Sequence, residues 1–267
     1  MVWASDIGEM RVLVTFAVEA EFAPWRKLRT FRKAKATSTR YGPVASPILE
    51  TTIGTIRVSV LLTGIGREQC ETTLNFNEDG VFSDEMPRLV ISSGLAGALK
   101  ECLSPTDLFV PKKVRTLRND ANADSDPEQY ERAVSLGAKP VENLITMERL
   151  VPTAEEKTRI AFYGEAVDME SAFVMSHFAA AGVPVVTIRA ISDGANEDLP
   201  IDFDRCLTPQ GAVRPMRLMN QIVRRPGNLP NLVRFGRQSN LATKRLAEFL
   251  DQFVETLTAV QERAISV

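Results

Sequence analysis

The run VPVVTIRAI, Val183 to Ile191, constrains this chain more than any other stretch. It is rich in β-branched apolar side chains and reads as a strand buried inside a sheet. A strand of that kind needs covering layers, so the rest of the chain must supply them. Shorter runs of similar character occur at Met10–Val18, Ile53–Leu62, Arg88–Ser93 and Asp107–Pro111, and Ala166–Asp168 ends another. Helical segments are expected at Glu68–Phe76, at Glu170–Ala181 stopped by Gly182, at Arg214–Val223, and at Leu241–Gln261. Strands alternating with helices predict an α/β fold, a three-layer sandwich around a central mixed, largely parallel β-sheet. The polar stretch Asn119–Glu131 reads as a surface loop, and Asn228–Asn231 as another. No internal repeat or linker stands out, which predicts one domain over residues 1–267 with a basic helical extension from about residue 208.

Acidic residues fall just after the strands. Glu19 and Glu21 follow the first, in FAVEAEF; Asp168 and Glu170 follow a later one, in GEAVDMESAF; Asp193 follows the strongest, in RAISDG. Ligands of open α/β sheets bind beyond the carboxyl ends of the strands, so the three sites are expected to face one crevice, beside the glycine turns TGIGR and GLAGAL. Acids in the first turn of a helix also meet the positive end of its dipole, and that plain reading accounts for any one of them alone. Carboxylates of different burial titrate apart, giving a base and an acid in one site. An ordinary Asp, near pKa 3.9, donates a proton only if burial raises it or if it shares a proton with the substrate. Such chemistry suits a bond whose leaving group needs protonation, as a glycosidic or N-glycosidic bond does.

The motifs VDMESA and PVVTIRAISDGANED, with FAVEAEF and SSGLAGAL, resemble the nucleoside phosphorylase/nucleosidase superfamily. The likeness is nearest to the 5′-methylthioadenosine/S-adenosylhomocysteine nucleosidase type and spans roughly Met10 to Leu207. The tail VRRPGNLPNLVRFGRQ resembles the hopanoid-associated phosphorylase branch, which implies an adenosyl-linked lipid as an alternative substrate. The resemblance implies that Glu21 activates the attacking water and that Asp193 protonates the purine. It also implies that Glu170 holds the ribose hydroxyls, that Met169 packs on the sugar, and that Phe203 lines the site of the 5′ substituent. Gly94 and Ala96 of SSGLAGAL are placed against the substrate, and Asp168 becomes a neighbour rather than a participant. No metal and no organic cofactor is implied, and a homo-oligomer, commonly a dimer, is.

Two departures bear on the nucleophile. Leu95 stands where many relatives carry a Ser or Thr, and Ser92 where hexameric phosphorylases carry a phosphate-binding arginine. Phosphate binding wants charge-assisted donors, so water is the expected nucleophile, with Arg67 as the anion holder if the enzyme is a phosphorylase. Around Thr146–Arg149 the aromatic that usually stacks on the base is missing. A non-catalytic nucleoside-binding module is the reading from another class, since a fold does not carry its activity with it. His177, the only histidine, sits within the helix after Glu170 and reads as packing or surface.

The remaining composition excludes rather than identifies. A net charge of −2 names no partner and gives no reason to expect nucleic acid. Two blocks, Phe22–Leu49 and Arg205–Ala247, are basic and free of acids, and the second keeps peripheral membrane contact open. Three scattered cysteines form no disulfide or zinc pattern, and no apolar run approaches the roughly 18–20 residues of a membrane span. A cytoplasmic setting is expected.

Overall fold

The computed structural model describes residues 10–34, 48–78, 86–201, 208, 227 and 229–265. The elements are β1 (Arg11–Phe16), α1 (Glu19–Leu28), β2 (Arg32–Lys33), β3 (Leu49–Ile53), β4 (Ile56–Leu62), α2 (Gly66–Glu78), β5 (Leu89–Ala98) and β6 (Leu108–Thr116). They continue with β7 (Asn122–Asp124), α3 (Pro127–Ser135), β8 (Lys139–Thr146), α4 (Ala154–Ile160), β9 (Ala166–Asp168), α5 (Ser171–Ala180), β10 (Val185–Asp193) and α6 (Leu229–Ile265).

The strands form one mixed sheet. Its parallel heart is β4–β1–β5–β10, and β6, β8 and β9 form a second parallel run. β10 also pairs antiparallel with β6, and β5 with β9, so these five strands close on themselves. Side chains of a strand alternate between faces, and the core divides accordingly. Val12, Val14 and Phe16 of β1 and Val186, Ile188 and Ala190 of β10 face α1, α3 and α6. Leu13, Val185 and Ile191 face α2 and α5. The sheet is therefore covered on both sides, as its apolar runs require.

The first cover is held by more than apolar area. Phe22 and Trp25 are fully buried, and Phe22 meets Phe31 edge-on at 4.9 Å, a geometry worth about 0.5–1.5 kcal/mol beyond area. Trp25 Nε1 donates to Asp251 Oδ1 at 3.0 Å, and Arg29 forks onto Asp251 at 2.9 and 2.8 Å. Part of the first basic block is thus neutralised by acids of α6, and Arg26 pairs with Glu19 at 2.7 Å.

Several expectations are corrected. Ile53–Leu62 is the turn and second arm of a hairpin, β3 and β4, rather than one strand. Asn119–Glu131 is no loop: it holds β7 and the start of α3. Its breaker residues are helix-start signals, since Asp126 caps α3 by accepting the Gln129 N–H at 3.1 Å and Pro127 occupies the first helical position, where its missing N–H costs nothing. Asn228–Asn231 fails as a loop for the same reason, because Leu229 opens α6 with Pro230 in its first turn. Phe203, Cys206 and the Arg214–Val223 segment lie outside the described residues. Among the described residues no helix is long and apolar enough to cross a membrane.

Candidate active site

The ends of β1, β9 and β10 and the β4–α2 turn converge on one cavity of about 870 Å³. Glu21, Arg67, Ala96, Asp168, Met169, Glu170 and Asp193 all line it. Gly94 lies just beneath, and the crevice expected from the strand ends is therefore present.

Glu21 projects from the first turn of α1. It accepts the backbone N–H groups of Ala17 at 3.0 Å and Leu95 at 2.8 Å. Leu95 thus contributes through its backbone, whatever its side chain lacks. Burial pushes the Glu21 carboxyl above the usual range, against the pull of Arg189 and its N–H donors.

Arg189 is one of the residues of the site that the motifs do not announce. It lies mid-strand in β10, 1 % exposed, and points to the α5 face. Its Nη2 lies 2.8 Å from Asp168 Oδ2 and donates to Ser171 Oγ at 2.9 Å. The usable signal was an arginine inside a run that must be buried, because a buried charge needs partners. Gly94 makes room for it. At φ +141° this glycine adopts a backbone that other residues avoid, and a Cβ there would sit 2.4 Å from Arg189 Nη1 and 2.8 Å from Glu21 Oε1.

The two acids of VDMES divide their work. Asp168 accepts from Thr146 Oγ1 at 2.7 Å and from the Ser171 N–H at 3.2 Å, besides its pair with Arg189. Asp168 ends β9, ahead of the first turn of α5, and its bonds tie strand to helix. Glu170 has no capping bond to its own helix; it reaches across the cavity edge to the Gly66 N–H at 2.9 Å. Burial pushes its carboxyl up to about 8, with Arg189 opposing and the charges of Asp168 and Glu21 reinforcing.

The other end of the cavity is built differently. Asp193 Oδ1 is 2.5 Å from Ser192 Oγ, and Oδ2 is 2.5 Å from Lys157 Nζ of α4. A bulge delivers this acid: β10 pairs Ile191 with Ala96 but Asp193 with Gly97, so one residue is extra. Lys157 stands among charged residues in TAEEKTRI, yet its side chain is 0 % exposed.

Arg67 lies at the rim. Its guanidinium donates to Glu71 at 2.9 Å, Asp120 at 2.6 Å and Glu148 at 3.4 Å, and stands 5.1 Å above the Phe173 ring. The apolar wall comes from Leu150, Val151, Leu199 and Phe235. Among the described lining residues Phe235 is the one aromatic, and it arrives from α6, a contact no local pattern announces. Among the described residues no cluster of three His, Cys, Asp or Glu side chains could hold a metal ion.

Residues 11–224 match the profile of the family described as the phosphorylase superfamily. A 5′-methylthioadenosine/S-adenosylhomocysteine nucleosidase of Exiguobacterium sp. is 30% identical over 181 residues, 58% of this chain and 75% of the relative. One of the same name from Haemophilus ducreyi is 30% identical over 185 residues, covering 60% and 77%. The fold is shared with the Helicobacter pylori enzyme of that name (TM-score 0.68, 17% identity, covering 93% of this chain and 99% of that one). It is shared equally with futalosine hydrolase of the same organism (TM-score 0.68, 17% identity, covering 93% and 98%).

Proposed function

The chain belongs to the phosphorylase superfamily, and from that premise we propose that it hydrolyses the N-glycosidic bond of an adenine nucleoside. The observation that carries the reading is a pair of unlike acids facing one cavity, Glu21 with its raised carboxyl and Asp193 with its lysine. Glu21 takes the proton of the attacking water, for which a carboxyl whose proton affinity is raised by burial is better suited than an ordinary one. Asp193 hands a proton to the base as the bond breaks. Glu170, once ionised, accepts from the ribose hydroxyls, Met169 packs against the sugar, and the ionised carboxyl near the ring favours an oxocarbenium-like transition state. The names of the relatives above support adenine as the base, and the apolar wall of Leu150, Val151, Leu199 and Phe235 suits a substrate with an apolar portion.

Water is favoured over phosphate on charge. A phosphate near Arg189 would have to compete with Asp168, whose Oδ2 already stands 2.8 Å from the guanidinium, and one like-charge pair 4 Å apart costs about 4 kcal/mol at an effective dielectric of ~20. Arg67 already donates to three carboxylates, and Ser92 bonds Ser171 rather than offering a free donor. The test is release of adenine from 5′-methylthioadenosine with and without phosphate. Equal release in both supports hydrolysis, whereas release only with phosphate overturns it in favour of phosphorolysis, and bound but uncleaved nucleoside would make this a binding module.

A further inference from the structure

An aspartate that must give a proton to a purine needs a source for it, and the structure supplies one. Lys157 Nζ is surrounded by three acceptors: Asp193 Oδ2 at 2.5 Å, and the backbone oxygens of Gly194 and Glu197 at 2.8 Å each. All three ammonium hydrogens are spoken for, and the side chain is closed to solvent. The neighbouring charges do not compete for it. Glu197 turns its carboxylate to the Gly194 N–H at 3.0 Å and to Arg234 of α6 at 3.5 Å, and Asp198 accepts from the Ala154 N–H at 2.8 Å.

We propose that Lys157 is the source of the proton that Asp193 delivers, a positioning residue that both fixes the carboxyl and recharges it. The inference rests on the hydrolysis reading above. In the step, an Nζ–H bond breaks as an Oδ2–H bond forms, leaving a neutral amine that still donates to the two carbonyls and can accept from the new O–H. The carboxylic acid passes its proton to a ring nitrogen of the base while the C1′–N bond breaks and its electron pair stays with the base. Water bonds to C1′ and loses its proton to Glu21. Once the base has left, water in the cavity gives a proton to the Asp193 carboxylate, which passes one back to Lys157, and solvent removes one from Glu21, so one water is consumed and protons balance.

The experiment compares wild type, Lys157→Met, Lys157→Arg, Asp193→Asn and the Lys157→Met/Asp193→Asn double variant. Each is assayed on 5′-methylthioadenosine and on p-nitrophenyl β-D-ribofuranoside, whose leaving group departs without a proton. A general acid contributes roughly 10²–10⁴-fold. Lys157→Met is expected to lose about that factor in kcat on the purine substrate and little on the nitrophenyl riboside. The double variant should lose no more than Asp193→Asn alone. Lys157→Arg keeps charge and hydrogen bonds but a guanidinium does not give up its proton, so it should remain slow on the purine while melting near wild type. Full rescue by arginine, or equal losses on both substrates, would reduce Lys157 to a structural support and overturn the proposal. Wild type that cleaves no nucleoside would instead remove the hydrolysis reading itself.

Discussion

The two ends of the cavity handle charge in opposite ways. At the end built by Glu21, Asp168 and Glu170, three carboxyls share one guanidinium, Arg189, and both Glu21 and Glu170 are pushed towards holding protons. At the other end one carboxyl, Asp193, meets one ammonium, Lys157, with no surplus of either sign. A surplus of buried acid makes groups that hold a proton more tightly than an ordinary carboxyl does. A matched pair holds its carboxyl in one position. The two ends thus differ in kind, and the proposed base and acid stand one at each.

Removing either end breaks the comparison most directly. Asp193→Asn and Glu21→Gln should each lower kcat/KM on an adenine nucleoside about 10²–10⁴-fold, with Glu21→Gln alone also losing activity on a substrate whose leaving group needs no proton. Arg189→Met should come next: leaving Asp168 buried without its partner costs about 3–5 kcal/mol, read as a fall in denaturation midpoint. Glu170 sharpens the contrast through pH. Its carboxyl is ionised only above about 8, so if the ionised form holds the ribose, kcat/KM should climb roughly tenfold per unit up to that pH. The folded state also keeps this proton while the unfolded chain releases it near 4.5, so stability falls as pH rises from 4.5 to 8, and Glu170→Gln should flatten that slope. Phe235→Ala should raise KM about tenfold with kcat little changed, the sign of lost uniform binding on the apolar wall. Arg67→Met should shift the rate least, within ~1 kcal/mol and equally with or without phosphate, because its bonds are exposed ion pairs.

Most of the frame was legible because periodicity is local. The strands β1, β5 and β10 and the helix α5 follow from runs of apolar side chains, and the acids could be placed because each stands next to such a run. What escaped was set at long range. Arg189 hid within a strand pattern, Lys157 within a helix that looks solvated, and Phe235 within a basic segment more than forty residues beyond β10. The partners that redefine them, Asp168, Asp193 and the cavity wall, are close in space and distant in sequence. The polar stretch before α3 erred differently, since Asp126 and Pro127 are breakers and helix starters at once.

The bulge at the end of β10 bears on how such a chain can change over generations. The extra residue between Ile191 and Asp193 offsets the two-residue alternation, so a one-residue deletion there would swing the acid off its side of the strand. Length at that point is frozen for as long as the chain cuts its bond. The wall contributed by Phe235 carries no such restriction, because Phe235 is half-buried near the start of α6, ahead of the stretch Ala242–Leu257 that packs with β10. Descendants of this sequence can therefore change the cavity wall by drift at one end of a helix while Asp193 stays where its strand holds it.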